Sequence, residues 1–543
     1  MHGKSSLIKI VMYTIIIPVL LFCLSVSHGI SAQENGTAEQ FQPEEPDLEL
    51  PTVVLEYTAI QREDIETILP EEDYISLPKF SEVLPEAEIM RIESPSFEIV
   101  MPEQTESPER RTASFFSEGV IGGGSDNHLI GDIALYKRGE VPLYQFRFSH
   151  EGIDGYGMNA PGDGFFDRRE ELSGSVELGK KSHTAQLSAE YIEKETGLQD
   201  FSGAGSVIHR SLYGSGGYIY SPDTQFSVSL QLQGHSGSQY IDAQEKKSEI
   251  FADTVVALNY EWEKLLLGAS ADYSFQEAPD ESSLQQSAFH VRTIYYGSRF
   301  DISAEAGVHW DVENEFLFPW NIRLQGAAGE RWQYRIEGGF LIRDILYRNL
   351  WEDYSLLGTA GGIDITRGWT AAVNLDYNAG TRLRIDSSAE WRALTGVPVP
   401  DDLDNRDPVS GLFSFSFGSA EELELDTSFS LFLTDNIEVK GGWEGLLLHD
   451  SGKFEPIHMI SAGLLYENRN RNFGAGIDGN YSIDPADSLP VIGAQLHYRL
   501  SEGILLVLEG DDLLGPFYQD GRPWWGEYES RGFNITLKTE ISL

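Results

Sequence analysis

From residue 113 to the end of the chain, apolar and polar residues alternate one for one over long stretches. In 225–233, Phe226, Val228, Leu230 and Leu232 fall on one parity, and Gln225, Ser227, Ser229, Gln231 and Gln233 on the other. In 172–178, Leu172, Gly174, Val176 and Leu178 alternate with Ser173, Ser175 and Glu177. In 423–433, Leu423, Leu425, Phe429, Leu431 and Leu433 oppose Glu424, Asp426, Ser428 and Ser430, with Phe432 out of step. Successive side chains of a strand point to opposite faces, so each segment predicts a strand with one apolar and one polar face. Soluble β-sandwiches alternate in the same way. Two features favour a membrane barrel instead. Many segments run to about 10 residues, which is what a tilted strand needs to cross a bilayer. Trp262, Trp332 and Trp391 close several of them, where an interfacial girdle would stand.

Short turns punctuate the pattern near Gly139, Gly179, Pro222, Glu263, Gly297, Gly329, Asn378, Asp435, Arg469 and Glu502. They are mostly 32–42 residues apart, room for two strands and one longer loop. Alternating short turns and long loops is the periplasmic and extracellular asymmetry of bacterial barrels. With both ends of the barrel on the short-turn side, these turns predict an all-β fold, a transmembrane antiparallel β-barrel of about 22 strands (range about 20–24). The interval from Asn378 to Asp435 is longer, and Gly411 to Gly418 reads there as part of a loop or as a strand extension.

Residues 1–112 have a different texture. Two lysines and no acid precede an apolar run over 10–26, and Ser27, Gly29, Ser31 and Ala32 follow, so 1–32 reads as a secretory signal peptide cleaved after Ala32. An uncleaved anchor, or a lipid on Cys23, is the alternative. Residues 33–112 hold nine prolines, 21 acidic and five basic residues, a net charge of −16. So little apolar content under so much like charge does not repay the entropy of folding, and the segment is expected to be a disordered periplasmic tail. The barrel domain is then 113–543.

Charge and composition narrow the function. The 39 Lys and Arg against 86 Asp and Glu give a formal net charge of −47, which excludes nucleic acid as a partner. One Cys among 543 residues excludes a disulfide scaffold and a multi-cysteine metal centre. With +2 on the leader and −16 on the tail, the barrel itself carries −33. A wide acidic lumen would favour cations.

The C-terminal run Leu505-Leu506-Val507-Leu508-Glu509-Gly510-Asp511-Asp512-Leu513-Leu514-Gly515-Pro516-Phe517-Tyr518, followed by Arg531-Gly532-Phe533-Asn534-Ile535-Thr536-Leu537, resembles the end of TonB-dependent receptor barrels. That family closes with a strand, an Asn-Leu-Phe-like corner, an Arg-containing loop and a terminal strand; Asp512 stands here where Asn is usual, and the chain ends on Leu543 rather than an aromatic residue. The resemblance implies a 22-strand outer-membrane barrel whose last strand, with Phe533, Ile535, Leu537, Ile541 and Leu543 on its apolar face, is read by the outer-membrane assembly machinery. It also implies an N-terminal plug, yet 33–112 lacks segments that would build one. Thr52, Val53 and Val54 loosely resemble the short box that pairs with TonB.

Candidate chemistry is sparse. Asp401, Asp402, Asp404 and Asp407 form an oxygen-rich loop that could take Ca²⁺, although the EF-hand spacing fails and a solvated loop is the simpler reading. The Gly- and aromatic-rich segment 152–167 suits either solute contact or tight turns. His449-Asp450 and Ser149-His150-Glu151 pair acids with histidines, but no third catalytic partner can be placed, so no enzyme activity and no cofactor are expected. The expected function is passage of small cationic solutes across the outer membrane. The other reading is a structural or surface-binding barrel whose acidic tail docks a periplasmic partner. Outer-membrane lipid is a partner in both.

Overall fold

The computed structural model describes residues 114–543, apart from Leu543 and short turn or loop segments (140, 158, 181, 242–245, 312–315, 360–361, 402–405, 450–457, 485–488, 518–522 and 526–527). The leader, the tail 33–112 and Thr52, Val53 and Val54 lie outside the described residues.

Twenty-two membrane-spanning strands, β1 to β22 in chain order, form one antiparallel sheet from β1 (Ser114–Gly124) to β22 (Asn534–Ser542). Each strand pairs with the next, and β1 pairs with β22 from Glu118 opposite Ser542 to Gly124 opposite Thr536. The sheet therefore closes on itself and leaves no free edge. Three further short strands, Phe316–Leu317, Pro523–Trp525 and Tyr528–Glu529, belong to loops. The ten short turns read from the sequence all join consecutive strands at the end where β1 begins and β22 finishes.

The expected alternation is the barrel's inside–outside division. Ile133, Phe146, Leu172, Leu187, Leu212, Leu464, Leu496 and Leu537 are exposed on the outer face. So large an apolar belt on a closed barrel is a lipid-facing surface. Aromatic residues mark its edges. Near the short turns, Trp332 packs on Tyr377 with ring centroids 4.5 Å apart, and Trp262 ends β8 (Lys247–Trp262). Toward the loops, Trp369 meets Trp320 and Phe340 edge-on at 5.9 and 5.5 Å.

Trp391 departs from the expectation. It lies in the middle of β15 (Leu383–Pro400) rather than at a strand end. Its indole N–H nevertheless donates to the Glu421 carboxylate at 3.3 Å, and an outward carboxylate at that level marks where the apolar belt stops. The strand simply continues past the membrane. The segment Gly411 to Gly418 is resolved the same way. β16 (Phe415–Thr434) is 20 residues long, and its first residues pair with Val397 to Pro400 of β15 as a strand extension. A register shift between Thr395 and Val397 sits at Gly396, whose φ of 70° is left-handed and whose missing Cβ leaves room for the Ile365 carbonyl. A second shift lies between Phe432 and Thr434, where Leu433 is the extra residue, while Phe432 itself stays paired with Glu438.

Candidate functional site

The long loops do not all stand out into solvent. After β13 (Trp332–Asp344) the chain turns inward and forms the helix α1 (Tyr347–Asp353) against the inner wall of β4 (Phe166–Lys180), β5 (His183–Gly197), β6 (Ser206–Tyr220), β7 (Phe226–Ile241), β8 and β9 (Leu265–Glu277). α1 has no cap of its own, because the preceding Leu346 is extended and apolar. Its first N–H groups would be orphaned in a buried place. Glu249 supplies the missing acceptors from β8. Its Oε1 accepts the Tyr347 N–H at 2.9 Å and the Gln276 amide at 2.7 Å. Its Oε2 accepts the Arg348 N–H at 2.9 Å and meets His235 Nε2 at 2.9 Å. Gln276 also donates to the Ile345 carbonyl at 2.6 Å. Glu249 is 0% exposed, whereas its neighbour Ile250 faces lipid at 49%. A carboxylate at a helix N-terminus also answers the positive end of the helix dipole.

The rest of α1 is matched to the wall. Gly237 on β7 leaves the space that Arg348 and Trp351 occupy, each 3.5 Å from where a Cβ would stand. Arg348 pairs with Glu190 of β5 at 2.9 Å, and Glu352 with Arg169 of β4 at 2.9 Å. Trp351 stacks on His209 of β6 with centroids 5.7 Å apart. Gln239 donates to the Leu357 carbonyl at 2.7 Å.

A second tier of loops packs on the first. Leu198 and Ala204, the apolar residues Ile345, Tyr347, Leu350, Trp351, Tyr354, Leu356 and Leu357, Leu412 and Phe413, and Tyr528 share one buried apolar cluster. Phe413 and Leu357 form a parallel β-bridge, with Gly358 N–H donating to the Phe413 carbonyl at 2.9 Å. Tyr528 donates to the Gly411 carbonyl at 2.7 Å, and burial pushes its phenol up to about 12. Gln199 and the backbone of Glu529 exchange two hydrogen bonds, at 2.9 and 2.8 Å, and Gln199 donates to Tyr156 at 3.0 Å. Burial raises the Tyr156 phenol as well. Five loops thus make a folded cap inside the mouth of the barrel, with a core the barrel wall does not possess.

Below and beside the cap the wall is polar. Asp132, Glu171, Asp253, Asp272, Glu305, Asp478 and Glu509 all fall on the parity opposite the lipid-facing residues. His290 lies 3.4 Å from both Asp272 and Glu305. Arg392 is held between Glu390 at 2.9 Å and Glu424 at 2.6 Å.

The residues singled out in the sequence fare unevenly. The Asp407 carboxylate accepts the Val409 N–H at 2.8 Å and so serves its own turn, and Asp401 is exposed. Asp402 and Asp404 lie outside the described residues. Among the described residues no three His, Cys, Asp or Glu side chains are placed to hold a metal ion. The segment 152–167 packs inward, with Ile153 and Tyr156 buried. Alternation sends His150 to the face opposite Ser149 and Glu151, and Glu151 pairs with Arg531 at 2.9 Å. The side chain of His449 is outside the described residues. In the last strand Ile535, Leu537 and Ile541 face lipid, Phe533 precedes the strand, and Leu543 is outside the described residues. Glu249, Gln239, Gln276 and His209 were not legible as anchors, since each is one polar residue among many on the inner parity.

No family model matches the chain, and no curated protein does. Solved structures do. The copper transporter OprC superposes with a TM-score of 0.57 at 12% identity, over 81% of this chain and 82% of its own. The FrpB iron transporter from Neisseria meningitidis gives 0.58 at 10%, over 79% and 82%. The siderophore receptor PirA from Pseudomonas aeruginosa gives 0.57 at 10%, over 81% and 82%. At these identities the likeness is one of fold. Together with the closed sheet of 22 strands, the apolar belt and the girdles, it makes the chain a β-barrel of the bacterial outer membrane, built like the barrels of TonB-dependent receptors.

Proposed function

We propose that the barrel passes small cationic solutes across the outer membrane and that the loop cap gates its outer mouth. The acidic inner wall carries this reading. With −33 over residues 113–543 and carboxylates such as Asp253, Asp272, Glu305 and Asp478 on the inner parity, the lumen concentrates cations and repels anions. The solved neighbours named as copper and iron transporters share the fold, which supports a transport role. On this reading 33–112 is a periplasmic arm rather than a plug, and Thr52, Val53 and Val54 are part of that arm. Planar-bilayer recording of the refolded protein tests the proposal. Large conductance steps with cation selectivity are expected, and silence in refolded protein overturns it.

The cap favours a second reading. A buried core of loops in the mouth suits a barrel that is closed at rest and acts as a structural or surface-binding protein, with the tail docking a periplasmic partner. Removing residues 33–112 and repeating the recording separates an arm that gates from one that only docks.

A further inference from the structure

The sheet closes over a short seam. β1 pairs with β22 only from Glu118 to Gly124, seven residues, whereas β4 pairs with β5 over fourteen, from Asp167 to Lys180. Just above Gly124, the Ser125 N–H donates to the Ile535 carbonyl at 2.9 Å, and the Ile535 N–H to the Ser125 hydroxyl at 3.0 Å. A Cβ on Gly124 would overlap that carbonyl, so the glycine lets the two strands meet closely.

His128, in the turn between β1 and β2 (Leu129–Arg138), lies over this junction. The Thr536 hydroxyl donates to Asn534 Oδ1 at 2.8 Å, which leaves its oxygen to accept from His128 Nδ1 at 2.9 Å. Asn534 Oδ1 is 3.2 Å from the same nitrogen. The other ring nitrogen, Nε2, stands 3.4 Å from the Glu151 carboxylate of β3 (Leu143–Asp154). Asn534 and Thr536 are buried, although both stand on the inner parity of the wall.

Glu151 is held from its other side by a strap that leaves the cap. Tyr528 and Glu529 are seated there on Gly411 and Gln199. Two residues further on, Arg531 donates to Glu151 at 2.9 Å and to the Asp167 carboxylate of β4 at 3.2 Å. Three residues after that the chain enters β22. One guanidinium, whose fork suits two carboxylates, thus joins the cap to β3, β4 and the start of the closing strand.

We propose that the cap fastens the barrel: Arg531 is a positioning residue through which docking of Tyr528 holds Glu151, and through it His128, against the outer end of the β1–β22 seam. Releasing the strap loosens that end while the inner end of the seam stays paired. The proposal concerns closure of the sheet, so it stands or falls separately from the passage reading.

The test uses the refolded full chain in detergent, with its folded state checked by the gel shift that heat-modifiable barrels show. Amide exchange is followed by NMR over 122–124 and 534–536 at the outer end of the seam, and over 118–120 and 540–542 at its inner end. Arg531→Met should speed the outer end by about tenfold, the weight of partly exposed charge-assisted bonds, and leave the inner end as it was. Arg531→Lys, which keeps the charge but not the fork, should recover part of the difference. His128→Gln should speed the same outer residues. Added to Arg531→Met it should contribute little more, because both act through one carboxylate. An outer end unchanged in Arg531→Met, or effects of the two substitutions that simply add, would mean that the seam closes independently of the cap and overturns the proposal. Should Arg531→Met not fold, Tyr528→Ala empties the strap's socket with Arg531 in place. Faster exchange at the outer end then supports the coupling, and exchange equal to wild type refutes it.

Discussion

Glu249 and Tyr347 are 98 residues apart in the chain, yet the Glu249 carboxylate accepts the backbone N–H of Tyr347 at 2.9 Å. One lumen-facing side chain thereby starts the only helix longer than one turn among the described residues and fixes the loop 345–364 to the wall. Four groups converge on that carboxylate, and each would be left unsatisfied in a buried place without it.

Glu249→Ala should release α1 without opening the barrel. The loss is about 3 kcal/mol of local stability, since buried charge-assisted bonds are removed and their donors orphaned. Limited proteolysis should then cut within 345–364 while the heat-modifiable gel shift persists. Resistance equal to wild type would show that the apolar cluster alone holds the loop.

Tyr528 gives the cap a defined alkaline limit. Burial raises its phenol from 10.0 to about 12, so the neutral form is the one the folded cap prefers. A raised pKa contributes stability that is present below pH 10 and is lost as the pH rises toward 12. Exchange in the cap should accelerate across that window. In Tyr528→Phe the corresponding tyrosinate absorbance step should be missing, and the lost bond to Gly411 should cost about 1 kcal/mol.

Leu187 and Ser188 are adjacent on β5 and test the facing directly. Leu187 is 58% exposed toward lipid, while the Ser188 hydroxyl lies 2.6 Å from that of Ser215 inside. Leu187→Arg should destabilise the barrel by about 2–4 kcal/mol in refolding titrations, and Ser188→Arg by much less. The reverse order would mean that the two faces have been exchanged.

Asp478 lies on the inner parity, between lipid-facing Ile477 and Gly479. If the lumen conducts, Asp478→Lys should lower cation selectivity, read as a shift of the reversal potential toward zero in a salt gradient. A reversal potential unchanged by this substitution would place the selectivity elsewhere.

Gly396 illustrates what a single position can disclose. As a glycine inside an alternating run it marks a bulge in general terms. Only the pairing shows that it lets β15 lengthen toward the loops and carry Phe415 into the cap. Trp391 is a second case: it closes an alternating run in the sequence, yet it stands in the middle of β15, because the strand continues past the apolar belt.

What the sequence determines by itself is the barrel. Alternation of period two, the ten short turns and the long apolar parity are local properties, because a strand's two faces and a hairpin's turn are set by residues next to one another. The cap is decided only in the folded chain. Leu346, Tyr347, Leu350 and Trp351 carry no local mark of an inward-turned helix, and Glu249, Gln239, Gln276 and His209 share the inner parity with many other polar residues. Nothing local distinguishes a carboxylate facing water from one receiving a helix. That distinction arises when closure of the sheet brings β8 and the loop after β13 to one side of the lumen, where a buried acceptor must find its donors.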